Sequence, residues 1–396
     1  MELITFSTLF PNAAQTRHGL FVEGRLRELR SRYDVQASVV APVPWFPLRH
    51  PVFGRYAQFA RVPRRETRDG LTVWHPRYVL PPKLGMHIAP RALARGARRV
   101  VGQCVRSARA PILDAHYFYP DGVAAAHLAN RFDLPLVITA RGSDINLLPQ
   151  NVAVRRRMLW AADRACALVA VSHALARRMV AIGMDESKIH VLRNGVALDI
   201  FELRDRGVER EALGLKGPLL LSVGNLLPLK GHDLVIDALS AHPQATLVIA
   251  GDGPQLAALR ARALESGVQH RVHFVGSVPQ SRLVRYYNAA DMLILASSRE
   301  GMANVLLEAL ACGTPAVVTP VGGNPEVISS PAAGIVLSER SAAAIAQGVS
   351  ALLNAPPSRE QTRAYAESFA WADVARGLYG LFDDVRRERG LNRGSN

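Results

Sequence analysis

Cysteine is scarce in this 396-residue chain: three residues, Cys104, Cys166 and Cys312, lie far apart in apolar stretches. An odd, scattered set argues against a disulfide framework or a thiolate metal site, and for reduced core thiols in the cytoplasm. No run of about 18 apolar residues occurs, so no membrane-spanning helix is expected. The opening MELITFSTLF lacks the basic start of a secretory leader and reads as a first strand. Aromatic residues make up only 6%, with few interleaved among the arginines, which gives a nucleic acid little to stack on. No Asp-x-Asp pair occurs, so a carboxylate clamp for a divalent metal is not expected. A G-x-G-x-x-G dinucleotide fingerprint is absent too, which disfavours a nicotinamide cofactor.

Acidic residues are short in one half only. Residues 1–205 hold 30 Lys and Arg against 16 Asp and Glu, whereas residues 206–396 hold 18 against 17. Nearly all of the net charge of +15 therefore sits in the first half, which calls for an anionic partner such as a membrane surface, nucleic acid or acidic glycan.

Short apolar runs alternate with amphipathic segments throughout, the mark of doubly wound parallel sheets. The chain is long enough for two such domains, each with its own core. The first spans 1–200. Phe201–Leu215 is charged and weakly patterned and reads as a linker, and a second alternation fills 201–370. An amphipathic helix from about Trp371 to Arg389 ends the chain within 371–396, with Val374, Leu378, Leu381, Phe382 and Val385 as its apolar stripe. Pro42–Pro82 is rich in Pro and Arg and offers one strand, Leu71–His75. A long helix is expected over about Pro90–Arg109. On its wheel Arg91, Arg95, Arg98, Arg99, Arg106 and Arg109 share one arc, with Leu93, Ala97, Val100, Val101, Cys104 and Ala108 opposite. Tyr78–Met86, with Lys83, reads as exposed apolar residues beside that basic face. Together they suit docking on anionic lipid.

The richest stretch is Ser298–Thr319, SREGMANVLLEALACGTPAVVT. It reads as a loop, a helix over Met302–Cys312 stopped by Gly313 and Pro315, and a buried strand. Glu300 precedes the helix and Glu308 lies within it. Between them the N–H groups of Gly301, Met302, Ala303 and Asn304 form a first turn suited to a phosphate or sugar. Ligands of such sheets bind beyond the carboxyl ends of the strands. That picks out Lys230 in GNLLPLKG after Val223, which can reach a diphosphate. It also picks out Gly276-Ser277-Val278-Pro279 after Val275, whose backbone can meet a nucleobase.

Ser298–Thr319 resembles the E-x7-E signature of the retaining glycosyltransferase family 4, and the likeness covers most of residues 1–385. Its further carriers are the glycine loop at Gly19, Pro120-Asp121-Gly122, Arg141-Gly142-Ser143-Asp144, Asn194-Gly195-Val196, VGNLLPLKG, AGDGP and Gly322-Gly323-Asn324-Pro325-Glu326. The resemblance, nearest to bacterial cell-envelope and exopolysaccharide enzymes, implies the GT-B fold: two Rossmann-like doubly wound domains facing across a cleft. It implies a metal-independent hexosyltransferase that needs no cofactor beyond its donor substrate, a nucleoside diphosphate sugar. The acceptor is a lipid-linked or glycan hydroxyl. The enzyme is expected in the cytoplasm, peripheral on the inner face of the plasma membrane through Arg91, Arg95, Arg98 and Arg99, with no nucleic acid partner.

By the same resemblance Glu300, Arg141, Lys230 and His116 are the catalytic candidates, with His18 a further cleft histidine. Gly19, Asn225, Lys230, Gly276, Val278, Gly301–Asn304 and Glu308 are expected to hold the donor. Glu308 would accept from the ribose hydroxyls and Glu300 from the donor sugar. Two departures stand out. Many members carry His where Arg141 stands, and Arg where Asn225 stands, so one cation has moved from the second domain to the first. Alternative readings are a GT-B epimerase or phosphorylase or, in a different class, a basic nucleic-acid-binding protein.

Overall fold

The computed structural model describes residues 1–48, 50–80 and 85–394. It divides into two compact units, Met1–Asn194 with Ala372–Asn396, and Gly195–Trp371. The first division falls at Asn194/Gly195 rather than after residue 200. The cause is local: the Val196 N–H donates to the Phe369 carbonyl at 3.0 Å, and a Cβ on Gly195 would lie 2.5 Å from the Trp371 ring. Both ends of the second unit are thereby tied to each other.

In the first unit eight strands form one sheet. Their order is Ile189–Val191, Ala167–Ala170, Leu136–Ala140, Ile112–His116, Glu2–Phe6, Gln36–Val40, Leu71–Trp74 and Arg65–Arg68. All neighbours are parallel except the last pair. The central strands ILDAH, LVITA and ALVA are buried along their whole length, as a sheet covered on both faces requires. Strand order reverses between Glu2–Phe6 and Ile112–His116, so the loops after Phe6 and His116 flank a topological switch point.

Pro42–Pro82 holds more structure than its composition suggests. Arg65–Arg68 and Leu71–Trp74 make an antiparallel hairpin around Asp69-Gly70, both with positive φ (45° and 73°). A short helix spans Arg55–Arg61, and Val43–Pro44 pairs with Arg77–Tyr78. The long basic helix spans Gly85–Ser107, starting before Pro90 and stopping short of Arg109. Pro90 has no N–H for the Met86 carbonyl four residues back, and the Tyr119 hydroxyl donates to that carbonyl instead. Leu93, Ala97, Val101 and Cys104 are buried, while Arg91, Arg95, Arg98, Arg99 and Arg106 are exposed, as the wheel predicts. Tyr78 corrects the expectation of an exposed apolar run: it is buried, while Val79 and Met86 are exposed. Lys83 lies outside the described residues.

The C-terminal helix, Trp371–Gly394, lays Leu378, Leu381, Phe382 and Val385 into the first unit, where Tyr379 stacks on Tyr33 with centroids 4.3 Å apart. Arg389 pairs with Asp133 at 2.5 Å.

The second unit has six parallel strands, ordered Val272–Gly276, Thr246–Ala250, Leu219–Val223, Met292–Leu295, Ala316–Val318 and Gly334–Val336. Leu220, Leu247, Ile249, Ile294 and Val317 form the middle of its core. Its switch point lies between Leu219–Val223 and Met292–Leu295, so the loops leading to Lys230 and Glu300 meet there. The expected linker Phe201–Leu215 contains a helix, Arg206–Leu213, capped by Asp205 and closed by Gly214 in the left-handed region. Asp291 holds it, accepting from Arg206 at 2.9 Å, Arg210 at 2.6 Å and the Leu219 N–H at 2.7 Å. Helices Ala342–Asn354 and Arg359–Glu367 complete the unit, the latter opened by a Ser358–Gln361 capping box.

Candidate active site

At the switch point of the first unit a chain of polar side chains lies beneath the helix Leu20–Arg32. Asp114 and His116 alternate onto one face of their strand, and the His116 Nε2 is 2.9 Å from Asp114 Oδ2. Arg141, from the next strand end, donates from Nη2 to His116 Nδ1 at 2.6 Å and from Nη1 to Asn194 Oδ1 at 3.1 Å. A guanidinium can only donate, so Nδ1 must be the acceptor and the proton sits on Nε2, facing Asp114. His116 is thus a neutral imidazole held in one tautomer. Burial drives its pKa down to about 4, aided by Arg141 and Arg25 and opposed by Asp114.

Arg25, 5% exposed, donates to Thr139 Oγ1 at 3.1 Å and supplies a second cation near Asp114. Arg25 and Arg141 both stand near Asp114, and the Asp144 carboxylate also acts on Arg141. Burial and Arg25 pull the Arg141 pKa down to about 9, leaving it charged at neutral pH. Its face lies over the Phe21 ring at 4.8 Å, and its Nε has no partner among the described residues. The arrangement can offer a fixed donor to an anionic oxygen.

Around these side chains, the turns at RGSD and PDG are explained by backbone. Asp144 of RGSD is buried and accepts from the N–H groups of Arg141 (3.0 Å), Gly142 (2.7 Å) and Phe118 (2.7 Å). Asp121 of PDG accepts from the Thr8 hydroxyl at 3.0 Å and from the Thr8 N–H. These two carboxylates hold loops. Gly19 caps the helix Leu20–Arg32 at φ 76°, where a Cβ would fall 2.2 Å from the Leu9 carbonyl oxygen. His18, the further candidate, is exposed. The partners sequence reading missed are Asp114 and Arg25, and Asn194 was read only as part of the Asn194-Gly195-Val196 motif; the Asp-x-His alternation on a strand was the available signal for the first.

In the second unit Lys230 and Glu300 meet at the switch point, Nζ to Oε1 at 2.5 Å, and the Ser297 hydroxyl donates to the same oxygen at 2.7 Å. Three strand-end loops are stacked here through their backbones. The Leu226 N–H donates to Asp252 O (2.9 Å) and the Gly251 N–H to Gly276 O (2.8 Å), while a Cβ on Gly251 would lie 1.8 Å from Gly224 O. The Gly323 N–H donates to Gly301 O at 3.0 Å, and Gly322 packs on the Glu300 carbonyl. Asn225 is exposed, as is Gly276; Val278 is half-buried.

The helix after Glu300 begins at Asn304, with Ala303 extended at its cap (φ −83°, ψ 111°). This corrects the expectation that Gly301, Met302 and Ala303 form its first turn: they belong to the buried loop, and the turn starts at Asn304. Glu308 is buried as expected. Its Oε2 accepts from the Tyr287 hydroxyl at 2.8 Å and its Oε1 from the Gln280 amide at 3.3 Å. Each oxygen keeps a lone pair for a further donor. Burial raises the Glu308 pKa, against both hydrogen bonds. Among the described residues no three His, Cys, Asp or Glu side chains converge as a metal site.

Two α/β units with polar strand-end sites of this kind define a GT-B glycosyltransferase. Residues 26–200 match the family model described as Glycosyltransferase Family 4, and residues 205–369 the one described as Glycosyl transferases group 1. A D-inositol 3-phosphate glycosyltransferase of Jonesia denitrificans is 30% identical over 314 residues, 72% of this chain and 74% of that one. A putative teichuronic acid biosynthesis glycosyltransferase of Bacillus subtilis, TuaC, is 30% identical over 336 residues, 82% of each chain. The fold is shared with a sucrose-phosphate synthase of Thermosynechococcus elongatus (TM-score 0.80, 17% identity, 98% and 99% of the chains). It is shared also with Anabaena HepE in complex with UDP-glucose (TM-score 0.73, 20% identity, 97% and 99%). The chain belongs to glycosyltransferase family 4. A glycosyltransferase replaces the epimerase, phosphorylase and nucleic-acid readings.

Proposed function

We propose that this glycosyltransferase moves a sugar from a nucleoside diphosphate sugar to an acceptor hydroxyl with retention at the anomeric carbon. The observation that carries this reading is the meeting of Lys230 and Glu300 at the switch point of the second unit, 2.5 Å apart. One loop there offers a cation to a phosphate and its neighbour a carboxylate to sugar hydroxyls. Glu308, with spare lone pairs and a raised pKa, accepts from the ribose. Gly276, Val278 and Asn225 border the nucleotide. The UDP and UDP-glucose complexes of HepE support such a donor.

Departure of the diphosphate builds charge on a phosphate oxygen, and fixed donors aimed at that charge are the largest source of acceleration in such a transfer. Arg141 supplies one, and His116 and Asn194 keep its fork from turning. No metal or cofactor enters this account, and no protein nucleophile is assigned; a leaving phosphate oxygen takes the acceptor proton. The acceptor is a lipid-linked or glycan precursor of the cell envelope or an exopolysaccharide, a reading supported by the teichuronic acid relative. The enzyme works on the cytoplasmic membrane face, held by Arg91, Arg95, Arg98 and Arg99. Among the described residues no helix is long and apolar enough to cross a membrane.

The test is to titrate UDP-, GDP- and ADP-sugars by calorimetry and to follow transfer by NMR with and without EDTA. One donor class binding, α-donor giving α-product and activity surviving EDTA are expected. Inversion at the anomeric carbon or complete loss with EDTA contradicts the mechanism.

A further inference from the structure

Away from the strand-end site, the first unit holds a cavity of about 440 Å³ lined by His87, Pro90, Arg91, Val123, His127, Arg156, Arg157 and Trp160. Three guanidiniums face it and no carboxylate lines it. Arg157 is fixed in place: its Nη1 donates to the His87 carbonyl at 2.6 Å and to the Tyr119 hydroxyl at 3.3 Å. Trp160 forms a wall, with the His127 ring 4.5 Å away and the Arg164 guanidinium 4.4 Å from its own centroid. Burial and the cations Arg91, Arg164 and Arg157 together lower the His127 pKa, so the cavity is positive and short of a counter-charge. Neither Arg91 nor Arg156 has an ion-pair partner among the described residues.

Beside lining residues in the chain, Met86 (49%) and Ile88 (38%) flank His87 and are exposed, as is Val152 (72%) one helical turn before Arg156, and the Asn151 amide meets the Met86 sulfur at 3.9 Å. A cationic pocket whose lining residues have exposed apolar neighbours in the chain fits a ligand with an anionic head and an apolar body. A phosphomonoester carries a charge near −2 and three strong acceptor oxygens at neutral pH, and planar guanidinium forks match it.

We propose that this cavity binds the phosphomonoester headgroup of a membrane lipid, seating the first unit on the bilayer at a defined spot. The proposal deepens the membrane-surface reading above and rests on it. General attraction by the exposed helix arginines senses only surface charge, whereas the pocket senses headgroup chemistry.

The experiment measures vesicle co-sedimentation of the full chain with phosphatidylcholine carrying either phosphatidic acid or phosphatidylglycerol, at matched surface charge. The expected result is at least fivefold tighter binding to phosphatidic acid. Arg91→Gln/Arg156→Gln, with an unchanged melting temperature, abolishes that preference. Arg95→Gln/Arg98→Gln/Arg99→Gln weakens binding to both vesicles alike and keeps the ratio. Equal binding to both vesicles by the wild type overturns the pocket while leaving a charge-driven surface. No vesicle binding at all overturns both. A second readout is the His127 imidazole resonance, whose pKa rises when short-chain phosphatidic acid binds. An equal rise at the same concentration of inorganic phosphate overturns the lipid assignment in favour of a soluble anion.

Discussion

The strand ends of the two units solve different problems. In the first, charge is fixed by side chains: Arg25, Asp114, His116, Arg141 and Asn194 gather at one strand end, with the imidazole in a set tautomer. In the second, charge is balanced by the Lys230–Glu300 pair, and shape is fixed by glycine-mediated stacking of backbone loops. A locked site suits a group that must act without reorganising; a site with spare lone pairs suits reversible binding. On the proposed reading, Arg141 of the first unit contributes to rate and Glu308 of the second to donor affinity.

The largest effect expected is on Asp114. Removing it as Asp114→Ala takes away the buried carboxylate that both Arg25 and Arg141 stand near, which costs about 3–5 kcal/mol of stability. Chemical denaturation of the first unit measures it. Next comes Arg141→Ala, which lowers kcat/KM by the loss of one transition-state donor, about 2–4 kcal/mol.

Acid should expose the same chain. The folded pKa of His116, about 4, lies below its ordinary 6.5, so the unfolded chain takes up that proton first as pH falls. Stability from this group is therefore complete above pH 6.5 and is lost between 6.5 and about 4, by roughly 3 kcal/mol. His232, also near 4, loses stability over the same window in the second unit. His116→Asn flattens only the first unit's share, visible as a shallower fall of melting temperature with acid.

Much of this was legible in the chain. The alternation of apolar runs and helices, the E-x7-E stretch and Lys230 are set by local pattern, and the structure brings Lys230 to Glu300 because both follow strands that flank a switch point. The hairpin at Asp69-Gly70 went unread, although the Asp-Gly pair between RETR and LTVW is a turn signal: only the strand Leu71–His75 was expected. Other features were not legible. The early start of the basic helix depends on the Tyr119 hydroxyl replacing the N–H that Pro90 lacks, a contact with Met86 across 33 residues of sequence that no local pattern announces. Arg25 reads as one more surface charge on its helix, and its burial follows only from Asp114 on a strand far along the chain.

Smaller effects separate the roles within the second unit. Glu300→Gln lowers turnover with little change in donor affinity, because a contact at the reacting sugar strengthens in the transition state. Tyr287→Phe removes the hydroxyl that orients Glu308 and weakens donor binding by about 1 kcal/mol. The smallest per-residue effect belongs to the surface. Each of Arg95, Arg98 and Arg99 changed to Gln weakens binding to anionic vesicles by about 1 kcal/mol, and high salt does the same.

The most direct test of the division between rate and affinity is to measure donor affinity and single-turnover rate on two variants, Arg141→Ala and Glu308→Gln. The account predicts that Arg141→Ala keeps the donor Kd within about threefold while the rate falls by about a hundredfold or more. It predicts that Glu308→Gln raises Kd while the rate on bound donor stays close to that of the parent. A rate unchanged in Arg141→Ala, or a Kd unchanged in Glu308→Gln, contradicts it.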